Sequence, residues 1–363
     1  MPRSVSALKQ IGKIRVGVIG DEHLALQNHI AALNLLAEYE LIGVSNQAEQ
    51  EALSEQHAEL GCAVISATEL ITHPEVDLIA IAGMPTRTQH WICDAIAARK
   101  DIYCEWPIAP DPQLATELAM CARSSDVDHF IGLHPRICRG NLYVADLVAQ
   151  GYVGQIRSVR LFAGTTKPTG SSPMSGLHPE EESQPLAVHA LRLLDGMLPV
   201  VRRPRNLYCL MAGGSISEGP LAPSSQGAHQ LAILGSTENG AIFSAQFDRS
   251  LRVPHVQIDI AGDRGRIKSI SPADDHGGKV LVEAALGDDQ LMQPLLIPRS
   301  YNWSSPAQLP SKTRSLADLY AAFMRDLHEG TSVVATLDDG ARMHHLLHSV
   351  LEASSSGRRI DLG

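Results

Sequence analysis

The six cysteines (Cys62, Cys93, Cys104, Cys121, Cys138 and Cys209) include no Cys-x-x-Cys pair. Scattered through apolar segments, they read as reduced core residues of an intracellular protein and argue against a zinc site. Basic runs are missing too. Asp and Glu number 40 against 30 for Lys and Arg, a balance that argues against nucleic acid and anionic membranes as partners. No apolar stretch approaches the length of a transmembrane span, and the N-terminal MPRSVSALKQIGK lacks the apolar region of a signal peptide, so the expected location is the cytoplasm. Neither an internal repeat nor a low-complexity tract is present. What is there is a chain of 363 residues, 44% apolar and 19% charged, long enough for two buried cores.

The first third alternates strand and helix patterns. KIRVGVIG is a buried strand ending in glycine, and ALQNHIAALNLLAEY follows with helical spacing. ELIGVSN, AVI, DLIAIAG, DIYCE and HFIGL continue as strands. AEQEALSEQHAEL, TQHWICDAIAARK and DPQLATELAMCARSSD intervene as helices, the last with an Asp cap. Such alternation predicts a doubly wound parallel sheet over residues 1–133. From 134 to 363 the grammar changes. One helix, RGNLYVADLVAQG, leads into strands of period-two alternation, which predicts an α+β domain with a large, mostly antiparallel open sheet. Two long Pro/Gly/Ser-rich loops interrupt it, at 165–185 and 213–227, and the first is the expected lid. Two helices close the chain.

Several residues suit chemistry. The strand, glycine and helix from Val16 to Leu33 have the geometry that turns helix N–H groups toward a pyrophosphate. Glu22 stands where the G-x-G-x-x-G template has its second glycine, so Gly17 and Gly20 also read as close-packing glycines. At the end of the second strand, neutral Asn46 replaces the acid that would hold an NAD ribose, which favours NADP. Glu105 ends another strand just before Trp106 and Pro107, where an open sheet places its ligand. His189 lies on an apolar helix, and reads either as a core histidine or as an acid/base. Lys167 sits on the expected lid. Lys279 also lies beside a glycine-rich loop. His344 and His348 are spaced i,i+4 without an acidic third ligand, so a solvated helix face is expected there rather than a metal site. No Ser-His-Asp or Cys-His arrangement stands out.

Together these segments resemble the Gfo/Idh/MocA oxidoreductases. The resemblance rests on the glycine turn at Val16–Gly20, on ARKDIYCEWPIA where the family has a strand ending Glu-Lys-Pro, on IGLHPRICRGNLYVADLVAQGYVGQIRSVRL, on VHALRLLDGML and on SLADLYAAFMRDLHEG. It implies a Rossmann domain followed by a domain whose open sheet forms the oligomer interface, in a homodimer or homotetramer. It also implies NAD or NADP as cofactor, held by Gly17, Gly20, Asn46, Pro85, Glu105, Trp106 and Pro107. A sugar-like substrate would be oriented by Arg136 and His189, with His189 and Lys167 handling protons. The family moves a proton with a lysine, an aspartate and a histidine. Here the first two positions hold Trp106 and Pro185, and the third holds His189. The Glu-Trp-Pro form is similar to the branch of the fungal galactose regulatory repressor. Two functions follow as expectations. One is hydride transfer between NAD(P) and a sugar, polyol or related hydroxy compound. The other is a dinucleotide-binding regulatory or sensor protein that recruits a protein partner, with the Trp106 ring kept against the nicotinamide.

Overall fold

The computed structural model describes residues 12–20, 23–46, 62–83, 85–164, 186–201, 203–212, 230–249, 254–273, 279–287, 291–302 and 310–362. The chain forms two compact units. One comprises Met1–Leu133 with Trp303–His344, the other His134–Asn302 with His345–Gly363. The first unit thus takes back a segment from near the C-terminus, which a single cut after Leu133 does not anticipate.

In chain order the first unit opens with β1 (Ile14–Gly20), α1 (His23–Leu33), β2 (Tyr39–Asn46), β3 (Ala63–Val64), α2 (Ala67–Thr72) and β4 (Leu78–Ala82). It continues with α3 (Pro85–Ala97), β5 (Asp101–Cys104), α4 (Pro112–Ser125) and β6 (His129–Ile131). All six strands are parallel, in the order β3-β2-β1-β4-β5-β6. The strands read as apolar runs because both faces are covered, and every residue of β4 and β5 is buried. The expected Asp cap is Asp111, whose Oδ1 accepts the Leu114 N–H at 2.9 Å, with Pro112 as the next residue. The polar helix expected over AEQEALSEQHAEL lies outside the described residues.

The second unit opens with a short 3-10 turn (His134–Ile137), α5 (Arg139–Ala149), β7 (Ile156–Gly164), α6 (Leu186–Asp195) and α7 (Leu198–Val201). Its remaining strands are β8 (Pro204–Ala212), β9 (Gln230–Thr237), β10 (Ile242–Asp248), β11 (His255–Gly262), β12 (Gly265–Pro272), β13 (Leu281–Leu286) and β14 (Gln293–Leu295). With β15 (Ile360–Asp361) they build a nine-stranded sheet, order β14-β13-β12-β11-β7-β10-β9-β8-β15. Every pairing is antiparallel except β7 with β10. Alternation assigns the faces: Leu231 and Ile233 of β9 are buried, while Leu234 on the opposite face is exposed.

The segment returned to the first unit is α8 (Ser311–Glu329) and the first part of α9 (Leu337–Ser356). Helix α8 presents Leu316, Leu319, Tyr320 and Phe323 to the interior at helical spacing. Phe323 stacks on Phe130 of β6 at 4.2 Å, and the Tyr39 hydroxyl donates to the Tyr320 carbonyl at 2.7 Å. Among the described residues, no helix is long and apolar enough to cross a membrane.

Candidate functional site

The strand order of the first unit reverses between β1 and β4, and α1 and α3 begin where these strands end. An open parallel sheet binds its ligand at such a switch point. Both strands run out in glycine. A Cβ on Gly20 would lie 2.9 Å from Leu26 Cδ2 and 3.1 Å from the Ala82 carbonyl oxygen, so only glycine lets β1 turn here. Gly83, just after β4, has φ 149°, a region L residues rarely enter. Gly17 differs. A Cβ there would meet Leu70 at 3.0 Å and Ile79 at 3.3 Å, which makes it a packing glycine inside the sheet rather than a ligand contact. Asn46 ends β2 directly opposite Gly20 and is almost fully buried. Pro85 is the first residue of α3.

Glu105 follows β5, one strand beyond β4, and its side chain is 20% exposed. The Tyr103 hydroxyl donates to its Oε1 at 2.7 Å, and His29 Nε2 of α1 lies 4.0 Å from the same oxygen. Gly132 leaves room for the other oxygen, which a Cβ there would approach at 2.3 Å. His29 is wholly buried, with Nδ1 2.9 Å from the Tyr320 hydroxyl. Burial lowers its pKa to about 4, despite the opposing charge of Glu105, so the ring is neutral at pH 7. Burial also raises the phenols of Tyr103 and Tyr320, assisted by the charge of Glu105.

Trp106 is turned into the core of the first unit. Its side chain is fully buried, its Nε1–H points to the Gly340 carbonyl at 3.4 Å, and its ring lies 5.7 Å from that of His344. The expected aromatic surface against a nicotinamide is therefore a core contact with α9. Pro107, joined to it by a cis peptide, is buried as well. His344 corrects a second expectation. It is 2% exposed rather than solvated, and its Nε2 accepts the Ile108 N–H at 3.1 Å, while His345 and His348 are exposed. His129 acts similarly, its Nδ1 accepting the Leu337 N–H at 3.2 Å. No group of three metal-ligating side chains occurs among the described residues.

In the second unit, His189 lies on α6, half-buried between buried Val188 and Ala190. Arg136, expected to orient a substrate, is engaged elsewhere. Its guanidinium makes two bonds to the carboxylate of fully buried Asp195, Nε to Oδ2 at 3.0 Å and Nη2 to Oδ1 at 2.5 Å. Such a fork-to-fork pair commits both groups to the interior. Lys167, Pro185 and Glu22 lie outside the described residues. Sequence reasoning passed over His29, Asp195 and Tyr320, because each sits in an apolar helical pattern where a polar side chain reads as incidental.

Residues 14–133 match the family model described as "Oxidoreductase family, NAD-binding Rossmann fold". Among curated proteins, the chain is 30% identical over 161 residues to "Dehydrogenase aclE" of Aspergillus oryzae, which covers 41% of this chain and 43% of that protein. It is 27% identical over 148 residues to "1,5-anhydro-D-fructose reductase" of Ensifer adhaerens, covering 41% and 44%. These alignments thus span less than half the length of the curated relatives. Among solved structures, levoglucosan dehydrogenase superposes with a TM-score of 0.78 in its apo form, at 17% identity, over 97% of this chain and 99% of that one. Its complex with NADH and levoglucosan gives 0.76 at 17% identity, over 96% and 99%. At such identity the likeness establishes the fold. The N-terminal segment, residues 14–133, carries the NAD-binding Rossmann fold of the Gfo/Idh/MocA oxidoreductase family.

Proposed function

We propose that the protein is an NAD(P)-dependent oxidoreductase that transfers hydride between a nicotinamide and a sugar, polyol or related hydroxy compound. The observation that carries this reading is the β1/β4 switch point ending in Gly20 and Gly83, within a segment that matches an NAD-binding family. A dinucleotide fits there, since a Cβ on Gly20 would crowd the turn from strand to helix. Bound, the cofactor would supply the hydride acceptor or donor. Gly20 would let the backbone approach its pyrophosphate, and Asn46 would face the adenosine ribose. A neutral amide tolerates a 2'-phosphate better than a carboxylate does, which favours NADP. Sugar chemistry is suggested by the names of the relatives, a reductase of anhydrofructose and a dehydrogenase solved with NADH and levoglucosan.

Proton handling falls to His189, with Lys167 as its partner from segment 165–185. The work is placed in the cytoplasm, in keeping with six free cysteines. Copies of the chain pair through the open sheet of the second unit, where Tyr208, Leu210, Leu234 and Ile242 are exposed.

Trp106 favours a second reading. A fully buried indole at the family's lysine position leaves no acid/base there, as in a dinucleotide-binding regulator resembling the fungal repressor branch. Calorimetric titration with NADH, NADPH and their oxidised forms, followed by a screen of sugars and polyols, decides between them. Saturable binding with turnover that His189→Ala abolishes supports the enzyme. Binding without turnover supports the regulator, and absence of any binding overturns both.

A further inference from the structure

The register of the parallel sheet lines up residues at the carboxyl ends of its strands. Asn46 of β2 stands opposite Gly20 of β1, and Gly20 opposite Ala82 of β4. Ile81 pairs with Cys104 of β5, and Cys104 with Ile131 of β6, so Glu105 and Gly132 extend the same row by one residue. Neighbouring strands lie about 4.8 Å apart, which puts the backbone of Glu105 about 10 Å from Gly20, across β4. In the dinucleotide reading Gly20 meets the pyrophosphate and Asn46 the adenosine ribose, so Glu105 falls on the nicotinamide side.

The carboxylate of Glu105 is seated there before any ligand arrives. Tyr103, two residues back and so on the same face of the sheet, donates its hydroxyl to Oε1 at 2.7 Å. The phenol is fully buried, its ring 5.1 Å from that of His29, 5.0 Å from Phe130 and 5.7 Å from Tyr320. His29 Nε2 stands 4.0 Å from the same carboxylate oxygen, and its Nδ1 is 2.9 Å from the Tyr320 hydroxyl. A Cβ on Gly132 would overlap Oε2 and lie 2.8 Å from the Tyr103 hydroxyl, so the carboxylate rests against bare backbone. A mobile surface glutamate loses rotamer freedom when it binds, whereas an acceptor already held in place binds a hydroxyl or amide donor at lower entropic cost. Glu105 is held in this way and is still 20% exposed.

We propose that Tyr103 is the positioning residue for Glu105: its buried hydroxyl, with the bare backbone at Gly132, holds the carboxylate pre-set as an acceptor for the nicotinamide half of the dinucleotide. The proposal rests on the dinucleotide reading above.

The first test is the Kd for NADH and for NADPH, measured on the wild type, Tyr103→Phe, Glu105→Gln and the double variant. Tyr103→Phe keeps the ring and removes only the donor. It should weaken the tighter-binding nucleotide roughly tenfold, the scale of one hydrogen bond to a charged group. Glu105→Gln should weaken it at least as much, and the double variant no more than Glu105→Gln alone, because the hydroxyl acts through the carboxylate. An unchanged Kd in Tyr103→Phe, or losses that add in the double variant, overturns the proposal. A hydroxyl that serves only the fold would shift the unfolding midpoint and leave the Kd where it was. The second test needs no ligand. The Glu105 carboxyl is titrated by NMR in the wild type and in Tyr103→Phe. Loss of a donor to the charged form should move the titration to higher pH, and an unmoved titration overturns the proposal. If Tyr103→Phe does not fold, Gly132→Ala takes its place, since the new Cβ displaces the same carboxylate; it should weaken binding by a similar factor, and an unchanged Kd again overturns the proposal. A wild type that binds neither nucleotide overturns the dinucleotide reading and the proposal together, whereas binding indifferent to Tyr103 overturns the proposal alone.

Discussion

A histidine inside an aromatic cluster and an arginine locked to a buried carboxylate set the residue-scale behaviour of the two units. His29 titrates near 4 when folded and near 6.5 when unfolded. Below pH 6.5 the unfolded chain therefore binds a proton that the folded chain refuses. The stability tied to this neutral ring is complete above 6.5 and declines as pH falls toward 4. The loss amounts to about 3 kcal/mol. His129, whose pKa burial also lowers, acts in the same direction. Urea unfolding at pH 7.5, 5.5 and 4.5 should show this decline in the wild type, and His29→Gln should flatten it. A wild-type stability independent of pH over that range would remove His29 from the account. In the second unit, Asp195→Asn leaves a buried guanidinium without its counter-charge. Breaking one side of such a pair costs about 3 to 5 kcal/mol. Thermal unfolding of Asp195→Asn and Arg136→Leu would show it, with the double variant recovering part of the loss. Equal stability of all three with the wild type would contradict the geometry.

At the scale of elements, Trp106 shows what the sequence discloses and what it conceals. The strand ending just before Glu105 is legible from its apolar run, and so are the parallel sheet and the change to an antiparallel one after Leu133, because periodicity records which faces are covered. Which element covers a face is not recorded locally. Nothing near Trp106 in sequence announces that Gly340 and His344, over 230 residues away, take up its ring and its N–H. The same holds for His344, which reads as half of an exposed pair until the Ile108 N–H is found against it. The glycine at 340 is part of this seat, since a Cβ there would meet Ile108 Cδ1 and Ile131 Cδ1, each at 3.0 Å. Trp106→Ala should cost about 3 to 5 kcal/mol through the cavity it leaves. Trp106→Lys, which introduces the lysine expected at this position from the family resemblance, should destabilise rather than activate, because the side chain enters a closed core. Unfolding midpoints and turnover of the two variants check this. A Trp106→Lys protein as stable as the wild type and newly active would show that position 106 opens to the cofactor.

For the molecule as a whole, one face of the nine-stranded sheet is open among the described residues. Tyr208 is 50% exposed, Leu210 70%, Leu234 51% and Ile242 57%, all from three adjacent strands, β8, β9 and β10. Toward the other end of the same face, Asp259 of β11 accepts from Gln257 and from Arg266 of β12, and it stands opposite Arg160 of β7. The exposed large apolar side chains of β8, β9 and β10 thus cluster toward one end of the face, while Asp259 and Arg266 form an ion pair toward the other. A second copy turned by a two-fold axis would bury the apolar clusters together. Leu210→Glu with Leu234→Glu should therefore convert a dimer or tetramer to monomers without loss of fold, since substitutions of exposed side chains seldom change stability by more than about 0.5 kcal/mol. Light scattering after size-exclusion chromatography, with a thermal melt of each species, reads both. A wild type already monomeric at micromolar concentration would assign the face to some other partner. An unchanged oligomer in the double variant would move the interface elsewhere on the chain.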